Sequence, residues 1–533
     1  MAFNIFLAAA FLVVLTLGWV IWRVFPSAPL PGYPHNASSR WRLFGDGSNI
    51  MRIAELTRES SLAVFDLNRR LGEPITQMLV TRGAPMIAID DPREIEDIVL
   101  RRNKEFEHSW YTMQLFDRAF PHATIAQHTT PSLKAQKRLW VDAMNTDFLR
   151  RTVAPNLQTA ARELVELWTI RAEQAAGEPF DVSGHFHDTA LDAIWTALLG
   201  SKLGVLRSEI EKLRGVKSTL DPDALRSIDA IRFAMKTGND MVAAALNSVW
   251  PSFSLWFATL TPTFRRFKRA STEEVQKVMR SAYTRFQSLA DSPGTTDNKD
   301  EGSENDTCAM DLVLRREILN ARKAGRPSSD PTQDPYMLDE LWMLLLAGHD
   351  STAHTLAWFD IPFLDAVMEE TLRCAATSPV INRDVLVDTE ILGKKVPKGS
   401  ILFMNLRIDH DPYPVDEAVR SPTSRLAQAK RTRGGFEGES GWDIGRFEPR
   451  RWLTRDAEGR EVFDAYSLPT LGFGGGYRGC FGKRLAMMEL RIIMVTLVLN
   501  FEFLSLPEEL AGLEGEEAVF RQPQKIFVRL KQL

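Results

Sequence analysis

The stretch around Cys480 combines residue types that could do chemistry together. Six glycines lie between residues 471 and 482, and an apolar helical pattern begins after Gly482. Glycines let a backbone come close to a flat, bulky group, and a helix N-terminus stabilises a thiolate. Arg478 could pair with an anionic group of the same ligand. These residues fit a cysteine thiolate that binds haem iron, and a buried cysteine in a glycine-rich turn is the simpler alternative.

The composition is typical of a globular chain with free cysteines. Of the 533 residues, 44% are hydrophobic and 25% are charged. There are three cysteines: Cys308, Cys374 and Cys480. A small and odd number argues against a disulfide framework and predicts a reducing compartment. We interpret Cys308 and Cys374 as ordinary thiols. The formal net charge of −4 shows no basic excess, so we expect no nucleic-acid partner.

The N-terminal segment predicts a membrane anchor. Residues 2–22 carry no charged side chain, and a helix of this length spans about 30 Å, the thickness of the hydrocarbon core of a bilayer. Basic residues follow the segment, so the positive-inside bias predicts a cytosolic body. We predict a transmembrane anchor over residues 1–25 and a proline-rich hinge over residues 26–48. A cleaved signal peptide is the alternative, although its usual basic start is missing.

Periodicity along the rest of the chain predicts a mainly helical body with a minor β part. Residues 92–101, 153–175 and 273–289 have apolar residues at three- and four-residue spacing, which favours amphipathic helices. Short β-like segments lie within residues 75–89 and 381–406.

Three further segments stand out by composition. Residues 290–307 have almost no apolar side chain and are predicted to form a disordered loop. Residues 425–445 hold four basic residues and five glycines and interrupt the helical pattern. Residues 249–267 are apolar and aromatic with a basic end. They form either a core segment or a surface that dips into lipid headgroups.

Five positions around the thiol match a known pattern. Phe473, Gly476, Arg478, Cys480 and Gly482 have the spacing Phe-x-x-Gly-x-Arg-x-Cys-x-Gly. This pattern resembles the haem-binding loop of the cytochrome P450 family. The resemblance implies a mainly α fold with small β-sheets, which in this sequence is preceded by the one N-terminal transmembrane helix predicted above. It also implies haem (iron protoporphyrin IX) as the cofactor, Cys480 as the axial iron ligand, and a haem-thiolate catalytic domain over residues 49–533.

A polar stretch inside an apolar helical pattern supports the resemblance. The predicted helix over residues 338–359 contains Asp350, Ser351 and Thr352, which are unusual there unless they face a cavity. Asp350 resembles the acid of the family's acid–alcohol pair, and Ser351 stands where the family usually has threonine. Serine keeps the hydroxyl, so proton delivery remains feasible, and Thr352 could substitute for it. A helix with a hydrogen-bonded kink is the alternative.

Two more segments resemble a structural trio of the family. Glu370 and Arg373 are three residues apart, so both lie on one helix face. Arg451 lies in a stretch that resembles the loop whose arginine joins that pair. In the family these three residues hold the loops beside the haem. Taken singly, each would form an ordinary surface ion pair.

Two basic residues are candidates for the haem propionates. Arg383 resembles, by its position after Arg373, an arginine that reaches a propionate in relatives. The family's Trp-x-x-x-Arg is absent, because Leu133 replaces the tryptophan and Lys137 replaces the arginine. Lysine can still pair with a carboxylate, but without the two-pronged geometry of arginine.

The spacing between two motifs departs from the family. Only 20 residues separate Asp350 from Glu370, whereas relatives place at least one further helix there. The shortened segment lies around residues 359–364, where Pro362 predicts a tight bend between two helices. A compact variant, an erroneous gene model and an inactive allele are the three explanations.

The leading interpretation is a membrane-anchored, haem-dependent monooxygenase of the endoplasmic reticulum with a cytosolic catalytic domain. The resemblance implies NADPH–cytochrome P450 reductase as the electron donor, and Lys483 and Arg484 would suit an acidic partner. A hydrophobic small-molecule substrate is expected, because the candidate pocket residues are apolar: Leu344, Ala347, Val380 and Ile381. The sequence is similar to filamentous-fungal members that decorate polyketides, terpenoids or alkaloids, so we predict a role in secondary metabolism.

Two alternatives stay open at this point. A haem-thiolate isomerase or dehydratase would need no reductase, although Asp350 and its neighbouring hydroxyl argue against it. A degenerate, non-catalytic haem protein is suggested by the helix that is missing between residues 359 and 370.

Overall fold

The chain divides into two compact units. The structure, a computed structural model, describes residues 2–533 except 247, 249–250, 291–306, 327–329, 357–363, 431–443, 456–458, 460, 470 and 513. Unit 1 comprises residues 1–111 and 378–479, and unit 2 comprises residues 112–377 and 480–533. Helices predominate in the described residues and the sheets are small, so the predicted mainly α class is confirmed.

The helices follow one another along both units. Within the described ranges they are α1 (Ala2–Val24), α2 (Gly47–Thr57), α3 (Ser60–Leu71), α4 (Pro92–Leu100), α5 (Trp110–Met113), α6 (Pro131–Trp140), α7 (Thr146–Phe148), α8 (Ala154–Ala175), α9 (Ser183–Leu199), α10 (Val205–Leu213), α11 (Pro222–Leu246), α12 (Pro251–Thr259), α13 (Pro262–Ala290), α14 (Ala309–Lys323), α15 (Pro335–Leu356), α16 (Leu364–Ala375), α17 (Pro422–Ala429) and α18 (Lys483–Val498).

The strands are short. Those described are β1 (Ile75–Met78), β2 (Met86–Ile89), β3 (Phe106–His108), β4 (Phe180–Asp181), β5 (Val380–Val385), β6 (Thr389–Ile391), β7 (Lys394–Val396), β8 (Ile401–Asn405), β9 (Leu453–Arg455), β10 (Glu461–Phe463), β11 (Phe501–Phe503), β12 (Gly515–Glu517), β13 (Arg521–Pro523), β14 (Phe527–Val528) and β15 (Leu530–Gln532).

The main sheet of unit 1 fixes the position of Arg383. Its order is β1-β2-β8-β5-β3, with β2 parallel to β8 and the other neighbouring pairs antiparallel. Ile87 of β2 and Leu402 of β8 are fully buried, as expected of central strands. On β5, Arg383 lies opposite Leu402 on one side and His108 of β3 on the other. The register therefore places a charged side chain in a buried part of the sheet.

The core of unit 2 is a set of packed helices. α15 packs on α9, α8 packs on α9 and α18, and α18 also contacts α15. Trp168 on α8 and Trp342 on α15 are buried within this unit. Gly348 permits the close approach of α9 and α15, because a Cβ at this position would lie 3.0 Å from the Ile194 side chain. Packing therefore fixes α15, the helix that carries the predicted acid–alcohol residues.

Most elements predicted from periodicity are confirmed. α4 and α8 correspond to the helices expected over residues 92–101 and 153–175, and β1 pairs antiparallel with β2 within residues 75–89. The helix expected over residues 273–289 is part of the longer α13. That helix begins at Pro262, since proline is favoured in the first turn of a helix.

Several predicted segments lie wholly or mainly outside the described residues. These are most of the loop over residues 290–307, the shortened segment apart from Leu364, and the interruption at 425–445 beyond the end of α17. The helix predicted over residues 338–359 is described as α15, which begins at Pro335 and ends at Leu356.

α1 coincides with the predicted membrane anchor. The side chains of residues 1–10 lie outside the described part, and the apolar side chains from Phe11 to Trp22 are exposed. Within the described part of the chain, no helix is both long enough and apolar enough to cross a membrane. The predicted transmembrane helix is therefore not confirmed.

Candidate functional site

The Cys480 thiol lies at the N-terminus of α18. Gly482 is the N-cap of that helix, and the backbone N–H groups of Gly482 and Lys483 donate hydrogen bonds to Cys480 Sγ. The side chain is exposed, yet enough protein surrounds it that burial raises the pKa of the thiol. The two donated hydrogen bonds and the charges of Lys483 and Lys137 oppose that rise in pKa. The result is an accessible sulfur at a helix N-terminus, whose thiol pKa is raised overall by burial although two N–H groups and two positive charges stabilise the thiolate.

Lys137 acts on the sulfur. It lies on α6, whose N-cap residue Thr130 accepts a hydrogen bond from the Leu133 N–H at 3.2 Å. Leu133 stands where the family has its tryptophan and is fully buried. Its packing in the core therefore holds α6 in place. The positive charge of Lys137 lowers the pKa of the Cys480 thiol, which the sequence did not indicate. The pairing of Lys137 with a propionate stays a prediction.

The glycines before Cys480 are required largely by α4. Gly474 and Gly476 have φ angles of 62° and 64°, which glycine adopts without steric cost. A Cβ on Gly476 would lie 2.3 Å from the Val99 carbonyl oxygen, and one on Gly475 would lie 2.4 Å from Leu100 Cδ2. The expectation that these glycines accommodate a bulky ligand was therefore incomplete. At Gly475 and Gly476 the close neighbour is the end of α4.

Gly482 differs from those two glycines. Among the described residues, no atom lies within 4 Å of a Cβ built on Gly482, so there is open space beside the thiol. Phe473, the first residue of the motif, is half-buried on the loop of unit 1. An accessible thiol with open space beside its glycine neighbour fits a flat cofactor bound through sulfur.

Two guanidinium groups of unit 1 lie within electrostatic reach of each other. Arg383 is buried, and its Nη1 donates a hydrogen bond to the Asn382 carbonyl oxygen at 2.9 Å. Burial and the charge of Arg478 lower the pKa of Arg383 to about 10, and Glu107 partly offsets this effect. Buried cations need anionic partners, so the pair is suited to an anionic ligand such as the propionates of haem.

One face of α15 is open. Ala347 is exposed and Leu344 is partly buried, whereas the surrounding residues are buried: Leu341, Trp342, Met343, Leu345, Leu346 and His349. Positions 344, 347 and 351 are three and four residues apart, so they share this face. Asp350, Ser351 and Thr352 lie on α15, but their side chains are outside the described part, so their proton-relay role stays a prediction.

Glu370 and Arg373 form a buried, two-pronged ion pair on α16. Arg373 Nε donates to Glu370 Oε2 at 2.9 Å, and Arg373 Nη2 donates to Glu370 Oε1 at 2.7 Å. Both side chains are almost wholly removed from solvent, so the pair is not an ordinary surface pair. Arg451 is buried in unit 1, where its Nη2 donates to the Arg446 carbonyl oxygen at 3.0 Å. Its membership of the trio stays a prediction.

The other candidate pocket residues lie on β5 of unit 1. Val380 and Ile381 are partly buried, and Val380 packs against an apolar cluster that contains Phe65 and Phe403. This contact makes Val380 part of the packing of unit 1. The pocket role of both residues stays a prediction.

The arrangement around Cys480 defines a class of protein, the haem-thiolate proteins, in which a cysteine sulfur is the axial ligand of the iron. The cytochrome P450 family model matches residues 40–359, 360–413 and 445–530, so the chain belongs to the cytochrome P450 family. Haem is its cofactor, and it is an oxidoreductase of the monooxygenase type.

Fungal relatives align with nearly the whole chain. Cytochrome P450 monooxygenase GME11363 of Pestalotiopsis microspora is 27% identical over 98% of this chain and 97% of its own length. Cytochrome P450 monooxygenase TRI13 of Fusarium sporotrichioides is 26% identical over 97% and 98%. The crystal structure of the cytochrome P450DA haem domain has a TM-score of 0.61 and 16% identity over 94% of this chain and 98% of that one, and this likeness concerns the fold alone.

The comparisons also bear on the short connection between α15 and α16. The family match breaks between residues 359 and 360, which are neighbours in this chain. The alignment with the Pestalotiopsis relative extends over 581 positions, more than the 533 residues of this chain, so the relative has residues without a counterpart here. The break in the family match falls at the connection that the motif spacing singled out.

Sequence patterns did not indicate two buried ionisable sites in unit 2. Glu489 on α18 is 1% exposed, and its Oε1 has no hydrogen-bond partner among the described residues. The rings of His187 on α9 and His349 on α15 lie 5.2 Å apart between centroids, and burial lowers the pKa of His187 to about 4. A charged residue within the apolar periodicity of residues 485–497 was the available signal for Glu489.

Proposed function

We propose that the chain inserts one atom of molecular oxygen into a hydrophobic small molecule of fungal secondary metabolism, with electrons from NADPH supplied through a separate reductase. The observation that carries the proposal is the hydrogen bonding of Cys480 Sγ by the N–H groups of Gly482 and Lys483. These donors stabilise the thiolate form that an axial ligand of haem iron requires.

The family pattern assigns the residues that would hold the cofactor. Cys480 would supply the axial sulfur, and Arg383 and Arg478 would pair with the propionates. The buried positions of β5 and the mutual repulsion of the two arginines support this assignment, because an anionic ligand would relieve that repulsion. When bound, the haem supplies oxygen activation, which the electron-donating thiolate favours.

The open face of α15 supports a hydrophobic substrate. Leu344 and Ala347 present apolar surface beside buried residues 341–343, 345 and 346 of α15, so an apolar molecule could lie along this face. Position 351 shares the face by helical spacing. We assign proton delivery to the Asp350 carboxyl group and to the hydroxyl of Ser351 or Thr352.

An exposed basic surface in unit 2 supports a redox partner with an acidic face. Lys483 and Arg484 are exposed at the start of α18, and Lys134 and Arg138 are exposed on α6. Complementary charge steers such a partner and raises its rate of association. We assign NADPH–cytochrome P450 reductase to this surface, on the side of the chain that carries Cys480.

Two exposed apolar regions support residence at the endoplasmic reticulum membrane. In α1 the described side chains from Phe11 to Trp22 are exposed. In α12 Phe253, Trp256 and Phe257 are exposed, and the basic residues Arg265 and Arg266 follow in α13. Apolar side chains beside basic ones suit the headgroup region of a bilayer. We assign α1 as a single anchor with the rest of the chain on the cytosolic side.

The substrate class follows from the relatives alone. They are fungal monooxygenases, and one, from Dothistroma septosporum, is named for the Hps1-dma1 cluster and is 29% identical over 42% of this chain. We infer a polyketide, terpenoid or alkaloid substrate by this analogy.

The test is spectroscopic and then kinetic. The full-length protein, reduced and treated with carbon monoxide, should show a thiolate-type Soret band, and the absence of that band would contradict the proposal. Where the band is present, NADPH consumption with a fungal reductase and a panel of hydrophobic substrates separates a monooxygenase from an isomerase, which needs no reductase.

A second candidate function rests on the break in the family match at residues 359–360. A chain that lost a helix there could bind haem without turnover. A thiolate-type band without substrate-dependent NADPH consumption would favour this candidate. Sequencing the transcript across Phe359 and Asp360 shows whether a missed exon accounts for the short connection.

A further inference from the structure

Glu489 is a carboxylic acid in an apolar part of unit 2. It lies on α18, among buried Leu485, Leu490, Ile493 and Met494 of the same helix. Its relative exposure is 1%, and no described group is a hydrogen-bond partner of Oε1. An ionised carboxylate without a partner is costly in such surroundings, whereas a protonated one is tolerated.

The described side chains of the elements around α18 bring no compensating charge to Glu489. The ionisable ones are Lys483, Arg484 and Arg491 of α18, Arg162, Glu163, Glu166, Arg171 and Glu173 of α8, Tyr336, Asp339, Glu340 and His349 of α15, Asp365, Glu369, Glu370 and Arg373 of α16, and Glu502 of β11. Burial is the cause that raises the pKa of Glu489 to about 8, and none of these groups contributes to the shift. Within the described part of the chain, the acid is therefore isolated from compensating charge.

α18 connects this acid to the thiol. The first N–H groups of the helix, those of Gly482 and Lys483, are the donors to Cys480 Sγ. Glu489 lies less than two turns further along the same helix, on the side that packs into unit 2. A shift of α18 that carried Glu489 toward water would also move these donors away from the sulfur.

We propose that Glu489 is a positioning residue that is buried in its protonated form, and that its ionisation in alkaline solution displaces the start of α18 from Cys480. The sulfur environment is thereby coupled to pH through a residue nine positions away. The proposal goes beyond the monooxygenase function, because it concerns how the thiol is held whatever the substrate.

The direction of the pH effect follows from linkage. The unfolded chain releases the Glu489 proton near the ordinary pKa of a glutamate, about 4.3, whereas the folded chain retains it up to about pH 8. Between these values the folded state binds one more proton than the unfolded state. The Glu489 contribution to stability therefore falls as the pH rises through this window and levels off above it.

The test compares the full-length holoprotein with Glu489→Gln, which cannot ionise. Between about pH 5 and 8 the unfolding equilibrium constant of the unmodified protein should rise about tenfold per pH unit relative to that of the variant. The thiolate-type Soret band should also disappear at a lower pH in the unmodified protein than in Glu489→Gln. Parallel stability curves or identical spectral midpoints would overturn the proposal.

Two further variants keep the test decisive. Glu489→Met removes the acid without leaving a buried amide, so it reports the same loss of pH dependence if the glutamine variant does not fold. Glu502→Gln on β11 is the control, because Glu502 is exposed and pairs with Lys531 at 2.9 Å. It should keep the pH dependence of the unmodified protein. A flattened profile in this control would also overturn the assignment to Glu489.

Discussion

The thiol region of unit 2 and the guanidinium region of unit 1 are built in different ways. Backbone N–H groups at the start of α18 hold the Cys480 sulfur, so its immediate partners do not depend on neighbouring side-chain types. Arg383 and Arg478 are side chains, and Arg383 is placed by the register of β5 against β8. The thiol region therefore depends first on the start of α18, with the charges of Lys483 and Lys137 acting in the same direction, whereas the guanidinium region depends wholly on its two side chains.

The largest expected effect tests the thiol itself. Cys480→Ala should abolish the thiolate-type Soret band of the reduced, carbon monoxide-bound protein, because we propose Cys480 as the sulfur ligand of the haem iron. Cys374→Ala is the matched control and should retain the band. A band that survives in Cys480→Ala would show that the ligand is another residue.

The next largest effect concerns the buried ion pair between Glu370 and Arg373 on α16. Glu370→Ala leaves Arg373 buried without its carboxylate and should lower the free energy of unfolding by about 3–5 kcal/mol. The control is Asp365→Ala, also on α16, because the Asp365–Arg491 pair is nearly half exposed and should contribute less than about 1 kcal/mol. Chemical denaturation of both variants measures the difference. Equal losses would mean that burial does not distinguish the two pairs.

A third prediction compares Arg383, a buried guanidinium group of unit 1, with Lys137, whose charge acts on the Cys480 thiol. Arg383→Gln should weaken haem retention by about 10–100-fold, because it removes the buried cation that we propose as a partner of the propionates. Lys137→Gln should weaken it by less than about tenfold, since the backbone donors to Cys480 remain. The rate of haem transfer to an acceptor protein measures both. A larger effect for Lys137 would reverse the comparison between the two regions.

The smallest effect tests the backbone of the glycine loop. Gly476→Ala should lower the free energy of unfolding by about 1–3 kcal/mol, because the residue has a positive φ and its Cβ would meet the Val99 carbonyl oxygen. Gly184→Ala is the control, since its Cβ has no neighbour within 4 Å. Thermal unfolding should show little change in the control. An unchanged free energy of unfolding in Gly476→Ala would mean that α4 can move away from the added methyl group at little cost.

Local patterns predicted the parts of the site that are local in sequence. The Cys480 motif and the Glu370–Arg373 spacing each lie within one turn or one loop, so residue order alone indicates their geometry. The action of Lys137 on the thiol could not be predicted, because it depends on a tertiary structure that brings together residues more than 300 positions apart. The proximity of Arg383 and Arg478 depends likewise on a strand register.

For the glycines before Cys480, the sequence pattern indicated the positions but only part of the reason why glycine is needed there. The motif predicted the right loop, but Gly475 and Gly476 are required by contact with α4, a helix that lies more than 370 residues earlier. A sequence pattern reports that a side chain is excluded and does not report which neighbour excludes it. The fold class was predictable because helical periodicity covers most of unit 2.

The exposed position of Ala347 on α15 has a consequence for how such chains diverge. Every neighbouring position from 341 to 346 except Leu344 is committed to the core, and Gly348 is committed to its contact with Ile194. Among the described positions 341 to 349, Ala347 is the one whose side chain is exposed, whereas Leu344 still packs partly against the core. Descendants of this sequence can therefore change side-chain volume at the Ala347 codon with little effect on folding stability.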